Sequence, residues 1–309
     1  MCYSGQLETS YRNYLRMTGA QMDIEQFKDI YGWRPDGRSV SIPRAVDRWF
    51  DAPQSAAERD IHALIAAQRA ATTTALEKDL FAQRKRLADA ERKLALKVTK
   101  AATESRRIAT DKVEKIVRRL ARLKDPKPRE SDGRFFPMHH VPLVIHEGGC
   151  KLLRLARYHC RLAGKPATVD RQFPGLYNAR RDNIERYWKS AFGLSHGLLL
   201  LNSFFENVDR DGKNAVLHFI PKPADTMLVA CLYSVWKDPQ GGPDLLSFAA
   251  ITDEPPAEVA AAGHDRMIIN IKPENVDRWL TPQGRSPQEL QGILSDRQMP
   301  YYDYEVLAA

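Results

Sequence analysis

A chain of 309 residues, 43% hydrophobic and 28% charged, has the composition of a globular protein with one large domain or two ordinary ones. No run approaches the ~18 apolar residues of a membrane span and the N-terminus lacks the apolar stretch of a signal peptide, so no membrane partner is expected and the reading is cytoplasmic. Cys2, Cys150, Cys160 and Cys231 fall at no CxxC spacing, which argues against a zinc site and a disulfide framework.

The net charge of +8 is concentrated in one place. Residues 54–125 carry 18 Lys/Arg against 10 Asp/Glu, and the rest of the chain holds 29 of each. The hint of nucleic-acid binding that a basic protein gives therefore attaches to one segment and not to the body.

The chain opens MCYSGQ. Cysteine is small enough for Met1 to be removed behind it, and Cys2 would then carry a free α-amine and a thiol on adjacent carbons. The amine titrates near ~7.7–8.0 and the thiol near ~8.5, so both are partly nucleophilic at neutral pH.

Residues 54–125 contain neither Gly nor Pro and are rich in Ala, Leu, Lys, Arg and Glu, the strong helix formers. Leu80, Leu87, Leu94, Ala101 and Ile108 recur every seven residues, and Val113, Ile116, Leu120 and Leu123 continue an apolar stripe in shifted phase. Pro53 and Ser55 mark a start, Pro126 and Pro128 a stop. Gln83, Lys97 and Glu104 between the leucines make a weak coiled-coil seam. The segment reads as one long helix or as a hairpin bending at Ala70–Thr74, and 54–128 as a helical arm between 1–53 and 129–309. Its basic face suits a DNA or protein partner.

Beyond Pro128 the pattern changes to short apolar runs broken by Gly, Pro and Asn-Asp clusters. Strands are predicted at Val141–Ile145, Lys151–Tyr158, Gly197–Ser203, Val216–Ile220, Met227–Val235, Ser247–Thr252 and Met267–Ile271. Helices are predicted at Asn183–Ser190, Pro256–Ala262, Pro273–Leu280 and Ser286–Leu294. The fold class is α+β, with many short, mainly antiparallel strands, peripheral helices and a helical insertion.

Four places could carry chemistry. Asn178-Ala179-Arg180 puts an amide and a guanidinium on a turn. Glu206 ends an apolar run behind Phe204 and Phe205, a setting that raises a carboxyl pKa. Thr252 ends the strand-like Phe248–Thr252. His264 in Gly263-His264-Asp265-Arg266-Met267 can shuttle protons at neutral pH.

Taken in order, Cys2, Asn178-Ala179-Arg180, Phe204-Phe205-Glu206 and His264-Asp265-Arg266-Met267 resemble the SRAP family, the SOS response-associated peptidases or abasic-site processing proteins. The match is densest from Ser247 to Leu280, in SFAAITDEPP, HDRMIINI and KPENVDRWL. The resemblance implies that Cys2 forms a thiazolidine with the open-chain aldehyde of an abasic site in single-stranded DNA. It implies further that Asn178 holds the Cys2 amine, that Glu206 and His264 relay protons, that Arg180, Arg266 and Thr252 contact DNA, and that no cofactor or metal is needed. It also carries the family's autoproteolytic, peptidase-type and lyase-type activities as expectations. The sequence departs from the family at Tyr3 and Ser4 (usually Gly-Arg), at His139-His140-Val141-Pro142 and at Arg157-Tyr158-His159-Cys160, positions that seat DNA. The residues alone leave open an N-terminal-nucleophile amidohydrolase and a non-catalytic adaptor working through the arm.

Overall fold

The computed structural model describes residues 3–33, 40–210 and 212–307. In chain order, β1 (Ser4–Leu7) leads into α1 (Tyr11–Thr18), the short β2 (Gln21–Met22), α2 (Ile24–Gly32) and α3 (Arg44–Asp47). Two long helices follow, α4 (Ala56–Leu96) and α5 (Lys100–Lys124). Then come β3 (Arg134–Phe135), β4 (His140–Glu147), β5 (Cys150–Tyr158), α6 (Val169–Gln172), β6 (Asn178–Arg180) and β7 (His196–Arg210). The chain continues through β8 (Lys213–Lys222), β9 (Met227–Trp236), β10 (Leu245–Asp253), α7 (Ala257–Ala261) and β11 (Met267–Ile268). It finishes with α8 (Val276–Leu280), α9 (Pro287–Ser295) and β12 (Tyr301–Leu307).

The α+β reading holds, and the strands form one sheet that closes on itself. β10 pairs with β5, β5 with β4, β4 with β7, β7 with β9, and β9 with β10 again. Only the β5–β10 step of this ring is parallel. Closure leaves these five strands without a free edge along the ring and buries their apolar runs, including Leu198, Leu200, Val229 and Ile251.

The long β7 is the spine. Its first half pairs with β9 in the ring; its second half leaves the ring to pair with β8 on one side and β1 on the other. In that register Ser4 lies opposite Phe205 and Gly5 opposite Phe204. Gly5 is required by a close approach, because a Cβ there would come within 2.8 Å of the Phe135 ring. The first strand of the chain is thereby locked against the strand that carries Glu206.

The basic segment is a hairpin of two helices, and it turns at residues 97–99 instead of at Ala70–Thr74, where α4 runs on unbroken. Intrinsic preferences cost a threonine at most ~0.7 kcal/mol in a helix interior. Thr72–Thr74 are carried by the continuing helix, whereas Thr99 finds a better role as N-cap, its hydroxyl accepting from the Ala102 amide at 3.2 Å. The break also means that the leucine repeat does not continue as one stripe through Ala101 and Ile108. The fully buried positions of the distal pair are Ala90, Ala102, Ala109 and Ile116, so small side chains bring the helices together.

Ser55 and Glu58 close a capping box at the start of α4. Ile61 and Ile65 on its first turns belong to the main core, beside α2. The far end of α5 is tied down by Arg44, whose guanidinium donates to the carbonyls of Arg122 and Asp125. Asp132, almost fully buried, takes Arg48 and Arg122 as ion-pair partners.

Other expectations shift in detail. Residues 183–190 are not a helix: Arg181–Asn183 is a single 3-10 turn, and the chain runs to Leu194 as successive turns with mixed three- and four-residue hydrogen bonds. Ile184, Trp188 and Ala191 are buried from this segment, so packing against the ring overrides helical propensity. The expected strand Met267–Ile271 pairs regularly only at Met267–Ile268, with Asn270 and Ile271 making isolated bridges. No helix among the described residues is long and apolar enough to cross a membrane.

Candidate functional site

Cys2 lies outside the described residues, so the site is built from its covalent neighbour Tyr3 outward. The backbone amide of Tyr3 favours the ionised form of the Glu206 carboxyl. The Tyr3 ring meets the edges of Phe136 and Tyr177, with centroids at 5.9 and 6.4 Å. Tyr177 in turn packs edge-on against Tyr158 and immediately precedes Asn178. The residue after Cys2 thus sits beside Tyr177, the neighbour of Asn178, and close to Glu206, which lies within β7 and not at a strand end as expected.

Glu206 and His264 come together from distant parts of the sequence. Glu206 Oε2 lies 3.1 Å from His264 Nε2, and the two side chains are 0% and 7% exposed. Gly263 makes this reach feasible: it takes a left-handed φ of +97° just after α7, which turns the chain back and aims His264 at the sheet. The other ring nitrogen, Nδ1, is 2.7 Å from the Arg266 carbonyl and 3.3 Å from the Arg266 amide, so the Arg266 backbone orients the ring and leaves Nε2 facing the carboxyl. Burial raises the Glu206 pKa, while the hydrogen bond from His264 pulls it down; the net direction is upward from the ordinary 4.5. A carboxyl that resists ionisation, set against an imidazole nitrogen, is an arrangement suited to passing a proton.

Asn178 is buried in β6, which pairs in parallel with β10; its Oδ1 is 3.5 Å from the Tyr158 hydroxyl. Thr252 pairs with Arg180 across the same ladder but is fully buried, with its hydroxyl inside the protein. Arg180 and Arg266 both reach the Asp182 carboxylate, at 2.6 and 3.3 Å. The structure therefore groups Glu206 with His264, and Arg180 with Arg266, and places Thr252 beneath the second pair.

Beside Tyr3 opens a cavity of about 410 Å³ lined by Tyr3, Met138, His159, Pro174 and Tyr177, among others. Met138 (φ +75°) and His159 (φ +147°) line it, and they are the only non-glycine residues with positive φ among those described. Backbone strain of this kind collects at functional sites. In the cavity wall, Arg157 and Arg161 clasp Asp170, and His159 Nδ1 stands 3.7 Å from the same carboxylate. Of the stretch 157–160 that departs from the family pattern, His159 lines the cavity and Arg157 braces Asp170.

The two buried cysteines are unsuited to nucleophilic work, whereas the third described one is open to solvent. Burial pushes the Cys160 thiol up to about 12 and raises that of Cys231 as well, and Cys150 lies exposed at the start of β5. Sequence reasoning missed the Tyr3 amide, Tyr177 and Arg134 as parts of the neighbourhood. Tyr177 adjoins Asn178 and was within reach; Arg134 becomes visible only through the β1–β3 pairing.

A closed strand ring, with β1 paired to the strand that carries a buried carboxyl–imidazole pair, agrees with sequence comparison. The profile of the SOS response-associated peptidase family, SRAP, matches residues 102–307, and the chain belongs to that family. Relatives include abasic site processing protein YobE of Bacillus subtilis, 25% identical over 53% of this chain and 73% of its own length. YoqW, also an abasic site processing protein of Bacillus subtilis, is 32% identical over 51% of this chain and 70% of its own. YoaM of the same organism, with the same description, is 28% identical over 53% and 70%.

Proposed function

We propose that this protein processes abasic sites in single-stranded DNA by forming a covalent thiazolidine through Cys2. The observation that carries the reading is the buried Glu206–His264 pair at 3.1 Å, with Glu206 on the strand that pairs with β1, where Ser4 lies opposite Phe205, two residues along the chain from Cys2. The names of the relatives, abasic site processing proteins, support the same substrate.

In this reading Met1 is removed and the freed Cys2 amine adds to C1′ of the open-chain sugar aldehyde. The carbinolamine loses its hydroxyl as water, which needs a proton delivered to oxygen; the proton shared by Glu206 and His264 supplies it. The Cys2 sulfur then adds to the imine carbon, the C=N electron pair moves to nitrogen, and the thiol proton ends there. One water leaves overall and a five-membered ring links protein to DNA. Both nucleophiles belong to one residue, so ring closure gains the advantage of an intramolecular step. Asn178 holds the amine, and Arg180 and Arg266 meet the strand by exchanging the Asp182 carboxylate for phosphate. The same relay, run backwards, opens the ring, takes up one water and frees the protein from the DNA. The arm stands apart from this chemistry and adds electrostatic attraction for DNA.

Cys2→Ser tests the assignment. It keeps the amine and loses the thiolate, so abasic single-stranded DNA should give only a borohydride-trappable Schiff base, where wild type gives a heat-stable adduct. A heat-stable adduct formed by Cys2→Ser, or one mapped to Cys150, would exclude the thiazolidine.

A further inference from the structure

The guanidinium groups around the site are nearly all committed to carboxylates. Arg180 and Arg266 share Asp182, Arg157 and Arg161 share Asp170, and Arg181 and Arg297 share Asp253. Arg134 on β3 differs. Among the described residues no carboxylate lies within ion-pair distance of it. Its one hydrogen bond there is from Nη2 to the Ser4 hydroxyl at 3.3 Å. Its Nε–H is buried and makes none.

The side chain is nevertheless held firmly. Its guanidinium carbon lies 3.8 Å from the centre of the Phe205 ring and 5.1 Å from that of Phe136, which itself packs on Tyr3. Two aromatic faces fix the plane of the fork and leave its remaining donors to be used. Partial burial without a counter-ion lowers the Arg134 pKa, the mark of a cation short of an anionic partner. Arg134 lies opposite Gln6, two residues into β1 and four along the chain from Cys2. A structural arginine with no acid to meet would be an expensive way to fill a half-buried gap.

We infer that Arg134 is the receptor for a backbone phosphate of the DNA strand next to the abasic nucleotide. A phosphate supplies the two things the site lacks, a negative charge and oxygens in the plane of the guanidinium fork. The inference rests on the DNA reading above and assigns to Arg134 a positioning role. By anchoring the strand it sets the register in which the sugar meets Cys2, while Arg180 and Arg266 must first give up Asp182.

The test couples the side chain to individual phosphates. Abasic oligonucleotides carrying one neutral methylphosphonate at successive positions would be titrated against wild type, Arg134→Ala and Arg134→Lys, reading reversible binding in a Cys2→Ala background. Thermal midpoints would confirm that each variant is folded. Wild type should lose about tenfold in affinity at one position near the lesion, the scale of one charge-assisted hydrogen-bonded contact. Arg134→Ala should show that loss already on the natural strand and suffer nothing more at that position, while keeping the ordinary losses elsewhere. Arg134→Lys, with the charge but not the fork, should fall between. Identical methylphosphonate profiles for wild type and Arg134→Ala overturn the inference. Crosslinking by the Cys2 protein is scored separately: its absence sinks the thiazolidine but leaves the phosphate coupling readable, and a protein that binds no single strand at all sinks both.

Discussion

In the strand ring, Leu198, Leu200, Val229 and Ile251 are enclosed on every side, whereas along the distal arm Phe81, Leu96 and Val98 stand in solvent and the helices meet through Ala90, Ala102 and Ala109. The ring residues are fixed by packing and the arm residues by solvation, helix propensity and charge. The excess of positive charge follows the same division, all of it lying within residues 54–125. A segment that buries little and carries charge can change length or composition without moving the side chains of the site. The boundary is not at the sequence breaks, however, since Ile61 and Ile65 on the first turns of α4 are core residues.

The sharpest test of that contrast is one substitution made in both regions. Leu200→Ala in the ring should cost about 2–5 kcal/mol in denaturant unfolding, the range for a buried leucine. Leu96→Ala at the arm tip, where the residue is 91% exposed, should stay within about 0.5 kcal/mol. Comparable costs would mean that the tip is covered by something in solution.

The chemistry should follow the body. Glu206→Gln and His264→Ala should each slow adduct formation by ~10²-fold, the low end for general acid–base groups, with little change in affinity for intact single strands. A parallel loss of affinity and rate would make either residue a structural group. Shortening the arm by replacing residues 78–112 with a Gly-Ser turn keeps Ile61, Ile65 and the Arg44 contacts but removes 11 Lys/Arg and 5 Asp/Glu. Adduct formation should survive. The slope of log affinity against log salt should become shallower by up to about 4, at ~0.7 for each phosphate released from single strands. An unchanged slope would assign the arm to a protein partner; a lost adduct with an intact fold would make the arm part of the site.

The smallest effect is on the pH dependence of stability. Because the Glu206 pKa is raised in the folded state, its protonated form favours folding. That contribution is complete below the ordinary value of 4.5 and is lost as the pH rises through the raised one. Glu206→Gln lacks it, so its thermal midpoint relative to wild type should climb from pH 4 towards neutrality. A flat difference would show that the carboxyl ionises as it does in the unfolded chain.

Much of this architecture could be read along the chain. The runs at 141–145, 151–158, 216–220, 227–235 and 247–252 all became strands, because each is short, apolar and bounded by turn residues. The helical arm was legible from seventy residues without Gly or Pro, but its turn was not. Three consecutive threonines look weaker than a lone Thr99 until the capping hydrogen bond is seen. The first strand and the final Tyr301–Leu307 were missed, since four residues such as Ser4–Leu7 carry too little periodicity and acquire strand form only by pairing with β7 and β3. Glu206 and His264 could be singled out by type and setting. Their contact could not, because it depends on the ring closing and on the turn at Gly263. Arg134 was invisible for the same reason: nothing in GRFFP says that its guanidinium meets Phe205 and Ser4.

The most direct test of the account is the intact mass of the purified protein, before and after incubation with abasic single-stranded DNA. The account predicts a starting mass without Met1, and a product equal to protein plus DNA minus one water that withstands heating, with no product from the intact strand. Active protein that retains Met1, or an adduct whose mass does not reflect the loss of one water, would contradict it.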